Sequence, residues 1–579
     1  MRKDISQAFA KDNFKVINEY TLENGNKGYC AEHLTAKNAV NGQKKRAYYV
    51  EGSSYDMGYL IGYLAMDDVE KIGTIFIQNI IFEFFKGDSH NFFVTKFFKR
   101  LFKKFIQKQI TNWIYIFADE IFKDIPFEYI QEIHGIADGY TEACKKAGRE
   151  PRITFKDLWV LNVGIDCLLA YVYSPDGFLE RLPKYTPHPK PELFKVPVFC
   201  NGFSVFGNAT AETVSGQKVH FFGRDFMFPT ADVFQDTACH IIYNPDPQDG
   251  RLPLLSMTAP GFAGSMTAMN KEGVAMGVNM SPSGNCDHHR AGFNSLLLVR
   301  DSIHRGAGAE QALNNVINAQ RGVSWDYIIA DGVHDQAVAV ESGMSIPNLD
   351  FVNFPEPALQ QLGLLPGKQF LDENDTQTPR NGLMIRWNNY QYPEIFIKYN
   401  EALFKAFNKP YDPACFGERG YISQRQNGHL ERNCPYSFYF APQRENKDDV
   451  LIMTNHYIVP SMRLCSMDHW IVKVVEEQLD DIQWRYDKLN DLILSRYGAI
   501  DWNEAWNLIN FLAPNGCYET DYYRHNNDYK YINDQGEQCM TKQVLGIVSL
   551  CNLTTKVAQS LYGYYADEPV WTTLMNYVD

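Results

Sequence analysis

Apolar positions recur every three to four residues from Tyr55 to Leu64 and again from Phe127 to Ala147, which predicts two amphipathic helices. Gly58 and Gly62 share one face of the first, and Gly135 and Gly139 repeat that spacing in the second, so a neighbour can pack close to either. On this pattern residues 1–180 are expected to be mainly helical. Between the two helices lies Lys96-Phe-Phe-Lys-Arg-Leu-Phe-Lys-Lys-Phe-Ile-Gln-Lys108, with Phe97, Phe98, Leu101, Phe102 and Phe105 on one stripe and lysines opposite. Such a 96–108 segment suits a peripheral membrane contact, and it suits a core-facing helix with a solvated basic side equally well.

Residues 181–199 hold Pro183, Pro187, Pro189, Pro191 and Pro197, a density at which helix cannot persist, so an extended linker is expected. From Cys200 the period changes to alternation. Phe203, Val205, Val219, Phe221 and Phe226 mark a hairpin, and a turn at Gly273 leads into a strand over Val274–Asn279. Helices follow over Phe293–His304 and Ala309–Ala319. Then come a strand pair over Asp326–Ala330 and Ala337–Glu341, and a buried strand from Val450 that ends at Thr454-Asn455-His456. Helices resume over 468–497 and 502–512. The order predicts an α+β protein with sheets between helical layers, in three parts: a helical segment 1–180, the linker 181–199, and a larger region 200–579.

At 579 residues, with 45% of positions apolar and 14% aromatic, the chain can bury a large core and does not have the composition of a disordered one. A formal charge of −14 argues against a general nucleic-acid binder. The twelve cysteines include no Cys-x-x-Cys pair. No secretory signal or membrane-spanning run is visible in the sequence, so a cytoplasmic protein with reduced thiols is the default expectation. No phosphate-binding glycine motif is present, and Cys286-Asp-His-His289 packs its donors too tightly in sequence for one ion, so neither a cofactor nor a metal is expected.

The candidate chemistry gathers at strand ends. Cys200 opens the first strand of the hairpin, and Gly223-Arg224-Asp225 close the next. A thiol needs help to reach its reactive thiolate near neutral pH. If the Phe199–Cys200 bond were cut, the α-amine of Cys200 would supply a base on the same residue, with a reference pKa of about 7.7–8.0. A guanidinium beside the thiol would favour thiolate, and a carboxylate could orient the amine. The plainer readings are a buried structural cysteine and a surface ion pair worth about 0–1 kcal/mol. Asn279 and Asn455 each end an apolar strand, where an amide N–H can meet a developing oxyanion and where asparagine also simply forms turns. His456 offers a rival, uncut Cys–His enzyme.

Taken in order, Gly52-Ser-Ser-Tyr-Asp-Met-Gly58 with Gly62, Glu132-Ile-His-Gly-Ile-Ala-Asp-Gly139, Leu158-Trp-Val-Leu-Asn162, Cys200-Asn-Gly-Phe-Ser, Gly223-Arg-Asp-Phe, Asn270-Lys-Glu-Gly273 through Asn279, Ala330-Asp-Gly332 with Glu341, and Thr454-Asn-His456 form a set. The set resembles the penicillin acyltransferase-like branch of N-terminal-nucleophile hydrolases, the group around acyl-coenzyme A:6-aminopenicillanic acid acyltransferase. Choloylglycine hydrolases, acid ceramidase and phospholipase B-like proteins are more distant kin. The resemblance spans roughly residues 50 to 460. It implies a four-layer αββα core, self-cleavage before Cys200, and an acyl thioester passed to water or an amine. By position, Cys200 matches the nucleophile, Asn279 the oxyanion asparagine, Asn455 a later active-site asparagine, and Arg224 the arginine of the family's Arg-x-x-Asp pattern. The chain departs from that pattern: Asp225 stands where many relatives have Asn, and Met227 where they have the catalytic Asp. The implied activity is an autoprocessed amidase or acyltransferase acting on an N-acylated small molecule or lipid. A phospholipase B-like lipid acyl hydrolase and an inactive binding protein on the same fold are the alternatives.

Overall fold

The computed structural model describes residues 3–76, most of 112–173, 200–281 apart from 229 and 231–232, 286–344, 382–392, 394, 425–426, 429–430, 447–459 apart from 456, 485–515 and 529–579. The linker 181–199 with Phe199, the basic aromatic segment 96–108, and His456 lie outside the described residues.

A ten-stranded sheet and a six-stranded sheet dominate a mixed α/β architecture. Along the larger sheet the order is β1 (Phe14–Thr21), β2 (Lys27–Lys37), β3 (Lys44–Gly52), β8 (Cys239–Pro245), β9 (Leu254–Thr258), β10 (Thr267–Asn270), β11 (Val274–Met280), β12 (Trp325–Asp331), β13 (Gln336–Ser342) and β14 (Leu383–Trp387). The smaller runs β17 (Val450–Met453), β4 (Asn201–Val205), β7 (Phe221–Met227), β20 (Gln543–Asn552), β21 (Val557–Tyr564) and β22 (Val570–Thr573). Short hairpins β5–β6 (Thr213–Val214, Gln217–Lys218), β15–β16 (Arg425–Gln426, His429–Leu430) and β18–β19 (Tyr529–Ile532, Gln538–Thr541) complete the strands.

Strands β4, β7, β11 and β20 are buried at every position, so their polar residues, Asn201, Ser204, Arg224, Asp225 and Asn279 among them, lie inside the fold. The two sheets face one another. A Cβ on Gly202 would come 3.2 Å from Ile328 of the other sheet, and one on Gly277 would strike the Arg224 side chain at 2.2 Å. Helices α6 (Ser295–Arg305) and α7 (Ala309–Asn318) pack on β9–β13, and α8 (Trp502–Asn515) packs on β4, β7 and β20.

The expectation of a mainly helical N-terminal part is corrected here. After a short helix α1 (Ile5–Lys11), residues 14–52 form β1–β3, and β3 pairs parallel with β8, matching Ala47 with His240 and Gly52 with Pro245. The reason is local: Val, Tyr and Thr recur on either side of Asn24-Gly25, and Gly25 turns the chain at φ +85°. The first and last parts of the chain therefore share one sheet across 181–199.

Helices do form downstream, as α2 (Ser54–Leu64), α3 (Met66–Lys71), α4 (Phe127–Lys146) and α5 (Phe155–Tyr173). A reciprocal capping box between Ser53 and Asp56 starts α2. The paired glycines of α2 and α4 interlock. A Cβ on Gly58 would lie 2.1 Å from the Glu132 carbonyl oxygen, and one on Gly139 would lie 2.0 Å from that of Tyr59. Among the described residues no helix is long and apolar enough to cross a membrane.

Candidate active site

Cys200 sits immediately before β4, 1% exposed, with its Sγ 3.6 Å from the carbonyl oxygen of Met227 at the end of β7. The β4–β7 register sets Asn201 opposite Asp225 and Gly202 opposite Arg224. Neighbouring strand residues point to opposite faces, so Arg224 and Asp225 serve different sides of the smaller sheet. Both are fully buried, which rules out a surface ion pair.

Arg224 crosses to the larger sheet in the space left by Gly277. Its Nη2 donates to Asn279 Oδ1 at 3.2 Å and its Nη1 to Thr267 Oγ1 at 3.4 Å. Burial lowers the pKa of this guanidinium, and the nearby Cys200 and Asp225 oppose that shift. Asp225 takes the other side: Oδ1 accepts the Asn201 backbone N–H at 2.6 Å and Oδ2 accepts its side-chain amide at 2.7 Å. Burial pushes the Asp225 carboxyl up to about 7, against the pull of the Asn201 hydrogen bonds and of Arg485 and Arg224. The carboxylate thus grips the residue after Cys200.

The two asparagines join the sheets reciprocally. Asn279, late in β11, donates Nδ2–H to the Thr454 carbonyl at 3.1 Å, while Asn455, beyond β17, donates to the Met280 carbonyl at 2.8 Å. An amide nitrogen carries two N–H groups, so this bond leaves Asn279 a second donor for another acceptor.

Arg485 completes the group and was missed in the sequence reading. From the helix at 485–495, its Nη1 donates to the Cys200 carbonyl at 2.9 Å and to Asn201 Oδ1 at 2.6 Å, and its Nη2 donates to Asn455 Oδ1 at 3.1 Å. It is fully buried on the same helical stripe as Leu489 and Ile493. A charged residue at i−4 and i−8 from apolar positions was the available signal.

The structure therefore brings together Cys200, Arg224, Asp225, Asn279 and Asn455 and adds Arg485. Arg224 and Asp225 do not act as one pair, and Asp225 reaches Cys200 through Asn201. Cys286 lies elsewhere, with its Sγ 3.4 Å from Ser324 Oγ. Among the described residues no group of three or more His, Cys, Asp or Glu is arranged to hold a metal ion.

No family model matches the chain. It is 26% identical over 554 residues to an uncharacterized protein of Archaeoglobus fulgidus, covering 96% of this chain and 68% of that one. Among solved structures it is similar to a mutant conjugated bile acid hydrolase from Clostridium perfringens, at 9% identity and a TM-score of 0.28, over 64% of this chain and 92% of the other. It is also similar to penicillin V acylase from Agrobacterium tumefaciens, at 9% identity and a TM-score of 0.24, over 65% and 79% of the two chains. TM-scores of this size establish neither a shared fold nor shared chemistry.

Proposed function

We propose that the chain is a cysteine amidase or acyltransferase on a four-layer αββα core, with Cys200 as nucleophile after scission of the Phe199–Cys200 bond. The Cys200 thiol gives its proton to the freed α-amine and attacks the acyl carbonyl of an N-acyl substrate. Asn279 and a backbone N–H stabilise the oxyanion. The tetrahedral adduct collapses as the ammonium returns its proton to the departing amine, leaving an acyl thioester on Cys200. Water or an acceptor amine then takes the acyl group and restores the thiol. Arg224 holds Asn279, while Asp225 and Arg485 fix the main chain of Cys200 and Asn201.

One observation carries this reading: two arginines, one carboxylate and two strand-ending amides, all buried, gather around the main chain of Cys200 and Asn201 and the strand ends beside it. A merely structural cysteine needs none of them.

Intact-mass measurement of the wild type and Cys200→Ala tests it. The wild type is expected as two fragments, the second beginning with Cys200, and Cys200→Ala as one uncut, inactive chain. A fully active wild type with an unbroken backbone would sink the proposal. Offering N-acyl amides and O-acyl lipids side by side distinguishes an amidase from a lipid acyl hydrolase. Adding an acceptor amine and looking for a new N-acyl product distinguishes transfer from hydrolysis. Binding without acylation of Cys200 would mark a binding protein. Co-sedimentation with anionic vesicles, compared for the full chain and a Lys103→Glu, Lys104→Glu variant, tests the 96–108 segment as a membrane contact.

A further inference from the structure

Asn279 has two carboxyl neighbours in the same row. The registers set Asn279 opposite Asp326 on β12 and Asp326 opposite Glu341 on β13, so all three side chains share one face of the larger sheet. Asp326 and Glu341 are fully buried. Each holds a different segment of the candidate site. Glu341 accepts two backbone N–H groups, Ile458 on Oε1 and Val459 on Oε2, both at 2.9 Å, just past Asn455. Asp326 Oδ2 is hydrogen-bonded to Ser281 Oγ, one residue past the Met280 carbonyl that anchors Asn455.

The charges around the pair do not balance two carboxylates. Facing it are Ser281 from beyond β11, Arg386 from β14, and the backbone of residues 458–459. Arg386 is the one cation among these groups. Its Nε lies 3.6 Å from Glu341 Oε1, and its Nη2 donates to the Ile452 carbonyl at 2.9 Å. Asp326 feels the charge of the same Arg386 but makes no salt bridge with it, and its Oδ1 is buried without a hydrogen-bond partner. Two anions in adjacent positions of a dry row repel strongly, so one proton stays with the pair. Glu341, with two N–H donors and Arg386, is the site that favours charge, and the proton belongs on Asp326. Burial raises both carboxyls; the charge of Glu341 raises Asp326 further, whereas Arg386 and the Ile458 and Val459 N–H groups pull Glu341 back down.

We propose that Asp326 and Glu341 are positioning residues for the Cys200 reaction, a buried carboxyl pair sharing one proton that holds the segments bearing Asn279 and Asn455 together. The proposal rests on the reading of Cys200 as nucleophile for its meaning in turnover, while the geometry it describes can be tested without a substrate. A Glu341→Gln amide presents N–H to one of two N–H donors and releases either Ile458 or Val459. Movement of Asn455 then reaches the Cys200 carbonyl through Arg485.

The test uses the full chain and three readouts. The infrared difference spectrum at neutral pH, wild type minus Asp326→Asn, is expected to show a protonated-carboxyl C=O band, the other raised carboxyls such as Asp166 and Asp225 cancelling between the two proteins. Alkylation of the Cys200-containing peptide by iodoacetamide, followed by mass spectrometry, is expected to change about 10-fold or more in Glu341→Gln. Asp326→Leu, which removes the proton and the partner of Ser281 Oγ together, is expected to change it in the same direction. Turnover of an accepted N-acyl substrate is expected to fall about 10- to 100-fold in kcat for Glu341→Gln with KM little changed. Glu341→Asp, one methylene shorter, should not rescue it.

A difference spectrum without that band overturns the shared proton. A folded Glu341→Gln that alkylates and turns over like wild type overturns the positioning role. If Glu341→Gln fails to fold, the Asp326→Asn difference band and the alkylation of Asp326→Leu decide, wild-type alkylation in Asp326→Leu overturning the positioning role. If the wild type accepts no acyl substrate, the function reading fails, and the infrared and alkylation results still decide the pair.

Discussion

Arg485 donates to the carbonyl oxygen of Cys200 at 2.9 Å from a point 285 residues further along the chain. That oxygen belongs to the peptide bond after Cys200, so cutting the bond before it would leave the contact intact. A new N-terminus formed there would be free at its nitrogen and pinned at its carbonyl. Asp225 reinforces the pin through the backbone N–H of Asn201.

Removing this pin has a defined cost. Arg485→Met withdraws the donor from the Cys200 carbonyl, from Asn201 Oδ1 and from Asn455 Oδ1, and removes a charge that steadies Asp225. Breaking a buried charged cluster from one side costs about 3–5 kcal/mol. Misplacing the nucleophile by about 1 Å costs roughly 100-fold in rate. The expected outcome is a lower denaturant midpoint together with a kcat/KM reduced about 100-fold. Arg485→Lys should recover little of either, because one ammonium cannot serve the same fork. Full activity in Arg485→Met would show that the site does not need this anchor.

Asp225 titrates where activity would be measured. Its carboxyl is pushed up to about 7 from the ordinary 3.8. Because the folded value is raised, its contribution to stability is full below 3.8, declines as pH rises, and is lost above about 7. Chemistry runs the other way, since only the ionised group accepts both Asn201 donors without presenting its own proton. The rate of Cys200 alkylation or of acyl turnover should therefore rise through about pH 7 with one ionisation. Asp225→Asn should abolish that limb and lower the plateau, because an amide turns an N–H toward one of the Asn201 donors. A limb unchanged in Asp225→Asn would assign the titration to another group.

Much of this was legible locally. The strand over Val274–Met280, the helices at Ser295–Arg305 and Ala309–Asn318, and the hairpin opened by Cys200 follow from short-range period and turn chemistry. The opposite faces of Arg224 and Asp225 also follow from alternation, once both are placed inside β7. What was not legible depends on distant partners. Strand β20 pairs with β7 across more than three hundred residues, matching Val548 with Asp225, and nothing near residue 548 announces that neighbour. Arg485 looks like any helical arginine until its apolar stripe is seen to face the thiol. The N-terminal strands were legible and were overlooked, because the strong helical period after Ser54 was extended backwards over a segment with its own Asn-Gly turn.

The interlocked glycines bear on stability alone. Gly139→Ala puts a methyl 2.0 Å from the Tyr59 carbonyl oxygen, and backbone cannot swing aside as a side-chain tip can. Helices α2 and α4 must separate, an overpacking cost of about 1–3 kcal/mol that outweighs alanine's better helix propensity of about 1 kcal/mol. Urea denaturation should show a lower midpoint. Gly148→Ala offers a control, since nothing lies within 4 Å of its Cβ; its φ of +66° still carries a backbone penalty. A Gly139→Ala midpoint at or above wild type would mean the helix pair tolerates a wider spacing.

Acid should unfold the chain through histidines that the fold keeps neutral. His240 is fully buried, with Nδ1 2.8 Å from Thr572 Oγ1 and Nε2 without a partner, and burial lowers it from 6.5 to about 3. His220 lies 2.6 Å from Ser204 Oγ and 3.4 Å from Asp335, and burial lowers it too; Ser204 and His220 are both sealed inside, so this row is part of the core. His304 is held low by burial and then by Arg300. Each group's stabilising contribution is whole above 6.5, because folded and unfolded chains then carry the same neutral ring. Below that the unfolded chain takes up a proton that the fold refuses, at about 1.4 kcal/mol per pH unit per histidine. For His240 the loss runs from pH 6.5 down to about 3. The raised carboxyls, Asp225 among them, work in the opposite direction in wild type and variant alike, so the test is the difference: His240→Asn, whose amide can still meet Thr572, should shift the slope of urea-measured unfolding free energy against pH by about one proton across that range. An equal slope in wild type and His240→Asn would mean that His240 is protonated in the folded chain and that other groups drive the acid transition.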